Sequence, residues 1–147
     1  MKEPSKILVI RFSSIGDIIY TTPVVRALKT RFPNAEICFL TKPAFKYLYQ
    51  NNPYLSKLYL LEPKLLDTVK LIKEEKFDLI VDLHNNLRTS IIKLLTQIPA
   101  LTYKKERLKK WLALKFKSFT PNKHLVDRYL ETVKSLGAVN DGKSVDY

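Results

Sequence analysis

Glycine is scarce in this chain, with only three in 147 residues, at positions 16, 137 and 142. That scarcity excludes two nucleotide-binding motifs, because the dinucleotide fingerprint needs three closely spaced glycines and the phosphate loop needs two ahead of a Lys-Ser/Thr pair. A single cysteine, Cys38, rules out an internal disulfide. Its place in a strand-like run reads as a buried, inert thiol rather than a nucleophile. No apolar run reaches the ~18 residues of a membrane span. The opening "KILVIRF" is too short for the apolar core of a signal peptide, and no small-residue cleavage site follows it. A cytoplasmic location is the resulting expectation. Acidic residues are the remaining deficit: 14 Asp+Glu face 26 Lys+Arg, leaving a net charge of +12. Such a surface draws polyanions, among which nucleic acid, anionic lipid and phosphorylated sugars all qualify.

What is present is an alternation of strand and helix signals. "ILVI" (7–10), "AEICFL" (35–40), "SKLYLL" (56–61), "FDLIVDL" (77–83) and "ALTYK" (100–104) read as strands, the first as one covered on both faces. Helical spacing runs from Asp17 to Phe32, where Pro23 predicts a kink or a restart. Further helices are expected over 42–51, 64–76, 86–97, 105–119 and 122–138, the last with Gly137 just past its end. The alternation predicts an α/β domain: a Rossmann-like parallel sheet with helices on both faces. It spans 1–138, and 139–147 reads as a turn or the start of a linker.

In such a sheet, ligands bind beyond the carboxyl ends of the strands. "RFSSIGD" (11–17) occupies that position after the first strand. Gly16 allows close approach of backbone to a ligand, and the free amides of a helix start favour anions. Asp17 admits two compatible readings. The Ser14-x-x-Asp17 spacing is that of a capping box, with an acid complementing the helix dipole. A carboxylate so held is also able to accept a proton. "DLHNNLRTS" (82–90) follows the fourth strand on the same rim, where His84, Asn85, Asn86 and Arg88 read either as donors to hydroxyls and phosphates or as caps and solvated side chains. Asp82 reads as a loop anchor. Lys42, beyond the second strand, belongs to this rim, and Thr21 and Thr22 are placed to line a cleft one turn after Asp17. No second His, Cys or acid stands at ligand spacing from His84, so no metal is expected.

The stretch 104–119 concentrates positive charge around aromatic and aliphatic residues: Lys104, Lys105, Arg107, Lys109, Lys110, Trp111, Lys115 and Lys117. It reads as a membrane-surface element or as a solvated basic face packed by its apolar side. Nucleic acid is not expected, since no stacking surface or binding motif accompanies the charge.

The stretch "ILVIRFSSIGDIIYTTPVVRALKTRFPNAEICFLT" resembles the opening of glycosyltransferase family 9, the ADP-heptose:lipopolysaccharide heptosyltransferases. Arg11, Ser13, Ser14, Ile15, Gly16, Asp17, Thr22, Pro23, Ala27 and Leu28 carry the likeness. "EEKFDLIVDLHNNLRTSIIKLL" and "KHLVDRYLETVKSLGA" resemble later parts of the same N-terminal domain. The resemblance implies the N-terminal, acceptor-binding half of a GT-B enzyme, with Asp17 as the general base of an inverting, metal-independent transfer. Arg11, Ser13, Ser14, Gly16, Thr21, Thr22, Lys42, His84, Asn85, Arg88 and Arg128 would then face the acceptor. It also implies a phosphorylated lipopolysaccharide core as acceptor, an ADP-heptose donor held by a second domain, no other cofactor, and contact with the anionic inner face of the inner membrane. The donor-binding half has no counterpart in these 147 residues, so this chain is expected to be inactive alone. A non-enzymatic basic module binding anionic lipid or nucleic acid is the alternative.

Overall fold

The computed structural model describes residues 3–104 and 123–146. The expectations for Lys105, Arg107, Lys109, Lys110, Trp111, Lys115 and Lys117, and for a helix over 105–119, fall outside the described residues.

Five strands form one all-parallel sheet: β1 (Lys6–Ile10), β2 (Glu36–Thr41), β3 (Lys57–Leu60), β4 (Leu79–Asp82) and β5 (Ala100–Thr102), in the spatial order β3-β2-β1-β4-β5. Central β1 pairs Ile10 with Leu40 on one side and with Asp82 on the other. Its apolar run is continuous because neither face is wet: Ile7, Leu8, Val9 and Ile10 are all fully buried. Ile7 and Val9 point to one core with Ile37, Phe39 and Val81, while Leu8 and Ile10 point to the other with Cys38, Leu40 and Ile80. Each such side chain contributes about 1.5–3 kcal/mol when fully buried.

The first core is roofed by α1 (Ile15–Ile19), α2 (Thr22–Arg31) and α5 (Lys123–Thr132), the second by α3 (Leu65–Glu74) and α4 (Leu87–Thr96). The predicted helix over 17–32 is therefore two helices. Pro23 sits in the first turn of α2, where a missing N–H leaves no bond unmade, so the proline restarts the helix instead of bending it.

The short helix expected over 42–51 is present within narrower bounds: Pro43–Leu48 form a 3-10 helix that buries none of its own side chains. The next residue, Tyr49, pins it by stacking on Phe39 at 4.0 Å between ring centres and bonding Thr21 Oγ1 through its hydroxyl. The last helix is also shorter than 122–138. It gives way after Thr132 to a 3-10 turn, Lys134–Leu136, which closes at Gly137 with φ of 82°. Among the described residues, no helix is long and apolar enough to cross a membrane.

Candidate functional site at the strand carboxyl ends

The sheet order reverses direction between β1 and β4, and the loops that leave these strands meet at the rim. Arg11, the first residue after β1, holds them together. Its Nη1 donates to Leu83 O at 3.2 Å, its Nε to Ser13 O, and its Nη2 pairs with Asp17 Oδ2 at 3.1 Å. A second link runs from the Phe12 amide to His84 Nδ1, at 3.1 Å. With Nδ1 accepting, the neutral ring of His84 carries its proton on Nε2.

Asp17 is the third residue of α1, and the capping geometry expected from the Ser14-x-x-Asp17 spacing is formed. Asp17 Oδ2 accepts from Ser14 Oγ at 2.9 Å and from Ser14 N at 3.4 Å, besides its pairing with Arg11. All of these contacts converge on Oδ2. Among the described residues Oδ1 accepts nothing, and the side chain is 33% exposed. The Ser13–Ser14 peptide bond is cis. Gly16 lies on the exposed side of the same turn. Among the described residues, a Cβ built there would meet nothing within 4 Å beyond its chain neighbours and its own helix backbone, and its φ lies outside the left-handed range. Neither packing nor backbone conformation requires a glycine at 16.

Behind the rim, Asp82 is fully buried and acts as the expected anchor. Its Oδ1 accepts from the amides of His84 (3.0 Å) and Asn85 (2.8 Å), and its Oδ2 pairs with Lys93 Nζ at 2.8 Å. Lys93 also donates to Thr102 Oγ1, so one carboxylate ties β4, α4 and β5. Asn85 takes the left-handed conformation, and its Nδ2 donates to Tyr103 O at 2.9 Å. Asn86 is the N-cap of α4, its Oδ1 accepting from Thr89 N at 2.9 Å.

The structure thus brings Arg11, Ser13, Ser14, Gly16, Asp17 and His84 together. Arg88 joins them, its guanidinium 5.1 Å from the centre of the Phe12 ring, and Phe12 in turn lies 5.3 Å from the His84 ring. Lys42 follows β2 on the same rim, with its amide directed at Phe12 O. Arg88 and Lys42 make no ion pair among the described residues, whereas both rim carboxylates, Asp17 and Asp82, are paired. Arg128 is half-buried on α5, next to Tyr129.

Thr21 and Thr22 are elsewhere than expected. They are 0% and 1% exposed, and their hydroxyls donate to Ile18 O and Ile19 O. A threonine that returns its hydroxyl to the carbonyl three residues back is closing a helix joint, and here it faces the core. Two contributors have no signal in the sequence. Phe12 is the ring between His84 and Arg88, yet its one-letter context is simply the end of an apolar run. Tyr129, 1% exposed and edge-on to Tyr103, lies near both Arg11 and Asp17, and burial pushes its phenol well above the usual range.

No protein-family model matches the chain. It is 26% identical over 117 residues to lipopolysaccharide heptosyltransferase 1 of Campylobacter coli, a match covering 76% of this chain and 34% of that protein. It is 29% identical over 87 residues to lipopolysaccharide heptosyltransferase 3 of Escherichia coli, covering 52% and 26% respectively. The chain therefore matches about a third or less of the length of these relatives. Among solved structures, a glycosyl transferase of family 9 from Veillonella parvula superposes with a TM-score of 0.75 at 22% identity, over 99% of this chain and 46% of that one. The E. coli heptosyltransferase WaaC with ADP gives 0.68 at 18% identity, over 97% and 50%. These likenesses agree with the Rossmann-like α/β fold described above.

Proposed function

We propose, on the premise that the chain resembles the N-terminal part of the family 9 heptosyltransferases, that it is the acceptor-binding domain of an inverting heptosyltransferase-like glycosyltransferase. Asp17 is its general base. The observation that carries this reading is the division of labour within one carboxylate. Oδ2 is held by Arg11 and Ser14, which fixes the group at the carboxyl end of β1, and Oδ1 accepts nothing from the described residues. Such a group takes the proton from an acceptor hydroxyl as that oxygen attacks the anomeric carbon. The bond from that carbon to the donor diphosphate breaks with inversion, and the nucleoside diphosphate leaves. The donor, an ADP-sugar such as ADP-heptose, would be held by a second domain.

The acceptor is a phosphorylated sugar of the lipopolysaccharide inner core. Lys42 and Arg88 support this, being rim cations that no carboxylate of the described residues neutralises, and a planar guanidinium suits a phosphate better than a hydroxyl. Arg11 then serves the site by shaping its loops, since its guanidinium is already engaged, and the Ser13 carbonyl and Asn85 Nδ2 are taken up in the same loops. In a protein carrying the donor-binding half, Asp17→Asn should lower kcat by about 10²–10⁴ with the fold intact, the usual contribution of a positioned base. Unchanged turnover would reduce Asp17 to a helix cap.

An acceptor of this kind is anchored in a membrane, and the net charge of +12 suits an anionic bilayer. The chain should therefore bind phosphatidylglycerol-containing vesicles over neutral ones at low salt and lose that preference as salt is raised. Equal binding to both would remove the membrane from the proposal.

A further inference from the structure

Residues 138–146 have no regular secondary structure, yet several of them are tied to α2. Arg26 of α2 has a side chain only 4% exposed, and the carboxylates it meets come from the tail. Its Nε and Nη2 donate to Asp141 Oδ2 and Oδ1 at 2.6 and 3.0 Å, and its Nη1 to Asp146 Oδ2 at 2.6 Å. Nη2 also reaches Lys143 O at 3.2 Å. The tail is shaped to meet this group: Asn140 and Asp141 side chains accept from the amides of Gly142 and Lys143, folding a tight turn around the guanidinium. A buried guanidinium without its carboxylates would be strongly unfavourable, so the tail belongs to the fold.

The tail continues to the joint between α1 and α2. The Asp146 amide donates to Thr22 Oγ1 at 2.8 Å, and that same hydroxyl donates to Ile19 O, the last residue of α1, at 2.7 Å. Its neighbour Thr21 makes the equivalent bond to Ile18 O and is fastened inward on Tyr49. The joint is thus gripped from the core by Tyr49 and from outside by the tail. At five residues, α1 is far shorter than a helix that holds itself together, so its position depends on these grips.

We propose that residues 141–146 are a strap, fastened by Arg26, that locks the α1–α2 joint and thereby positions Asp17, two residues upstream of Ile19. Arg26 and Thr22 are positioning residues. That Asp17 is the base rests on the function proposed above; the mechanical link does not, and it is tested without any turnover measurement. In the 147-residue chain, the double variant Asp141→Asn/Asp146→Asn should release the strap, seen as faster tryptic cleavage after Lys143. Hydrogen exchange at the Ile18, Tyr20 and Thr21 amides, bonded to Ser14, Gly16 and Ile18 carbonyls, should rise at least tenfold, with β1 and β4 amides unchanged. Thr22→Val, which removes the hydroxyl's bonds to Asp146 N and Ile19 O but leaves Arg26 paired with the tail, should reproduce the faster exchange and move the Asp17 carboxyl ¹³C resonance while leaving cleavage at Lys143 slow. Wild-type exchange in α1 after the strap is released, or tryptic cleavage of the wild-type tail at the rate of an unfolded peptide, would overturn the proposal. Should the double variant lose its far-UV circular dichroism signal, Asp146→Asn alone keeps the Asp141 pair and is read by the same criteria.

Discussion

Among the described residues the Arg11 side chain makes three polar contacts and the Asp82 side chain three, and between them they account for the shape of the rim. The Asp82–Lys93 pair is the one whose loss is easiest to forecast, because Asp82 has no water to fall back on. Lys93→Met should destabilise the chain by about 3–5 kcal/mol in urea unfolding, the usual result of stripping a buried charge of its partner. The double change Asp82→Asn/Lys93→Met should recover a good part of that loss, since it removes the charge as well. Some of this chemistry was legible residue by residue. Asp17, Ser14 and Gly16 announce themselves by spacing, and Asp82 by standing at a strand's carboxyl end. The hydroxyls of Thr21 and Thr22 were not legible as buried, because the same threonine suits an open cleft and a closed helix joint. Which one applies depends on Tyr49, 28 residues away from Thr21.

Among the α-helices of the described residues, α1 is the shortest and the one on which the proposed chemistry turns. Gly16 in its first turn is a liability by propensity, and nothing among the described residues asks for it. Gly16→Ala should therefore leave stability unchanged or raise it by about 0.5–1 kcal/mol in thermal or urea melts. In an NMR titration with a phosphorylated acceptor-sugar analogue, the same variant should bind at least tenfold more weakly, because the added methyl occupies the space above the turn. Equal affinity would mean that the ligand does not approach here. The strands were legible as elements because burial on both faces writes an uninterrupted apolar run, and Pro23 marked the helix restart. The short helix in 42–51 was legible, but its 3-10 form and the insertion of Tyr49 behind it were not, since they depend on Phe39 and Thr21.

At the scale of the whole molecule, alternation predicted a parallel sheet, but its order and the tail's return were beyond any local pattern. Arg26 and Asp141 are 115 positions apart, and each looks like an ordinary surface residue in its own neighbourhood. Their pairing has a pH signature. The hydrogen bonds from Arg26 pull the Asp141 carboxyl down to about 2. A carboxyl depressed on folding contributes stability that is present above its unfolded value of about 3.9 and is lost as pH falls through the folded one. The Arg26 Nε–H resonance should accordingly hold its position from about pH 7 to about pH 3 and move as the pH falls through about 2. Movement centred at about pH 4, where a free aspartate titrates, would mean that the clamp is not formed. The stitching of the two rim loops by Arg11 and His84 has a different consequence. Neither loop has freedom left to lose when a ligand arrives, so binding at this floor carries little ordering entropy. An acceptor fragment should meet a surface already set, and adaptation to its size must come from whatever closes over it.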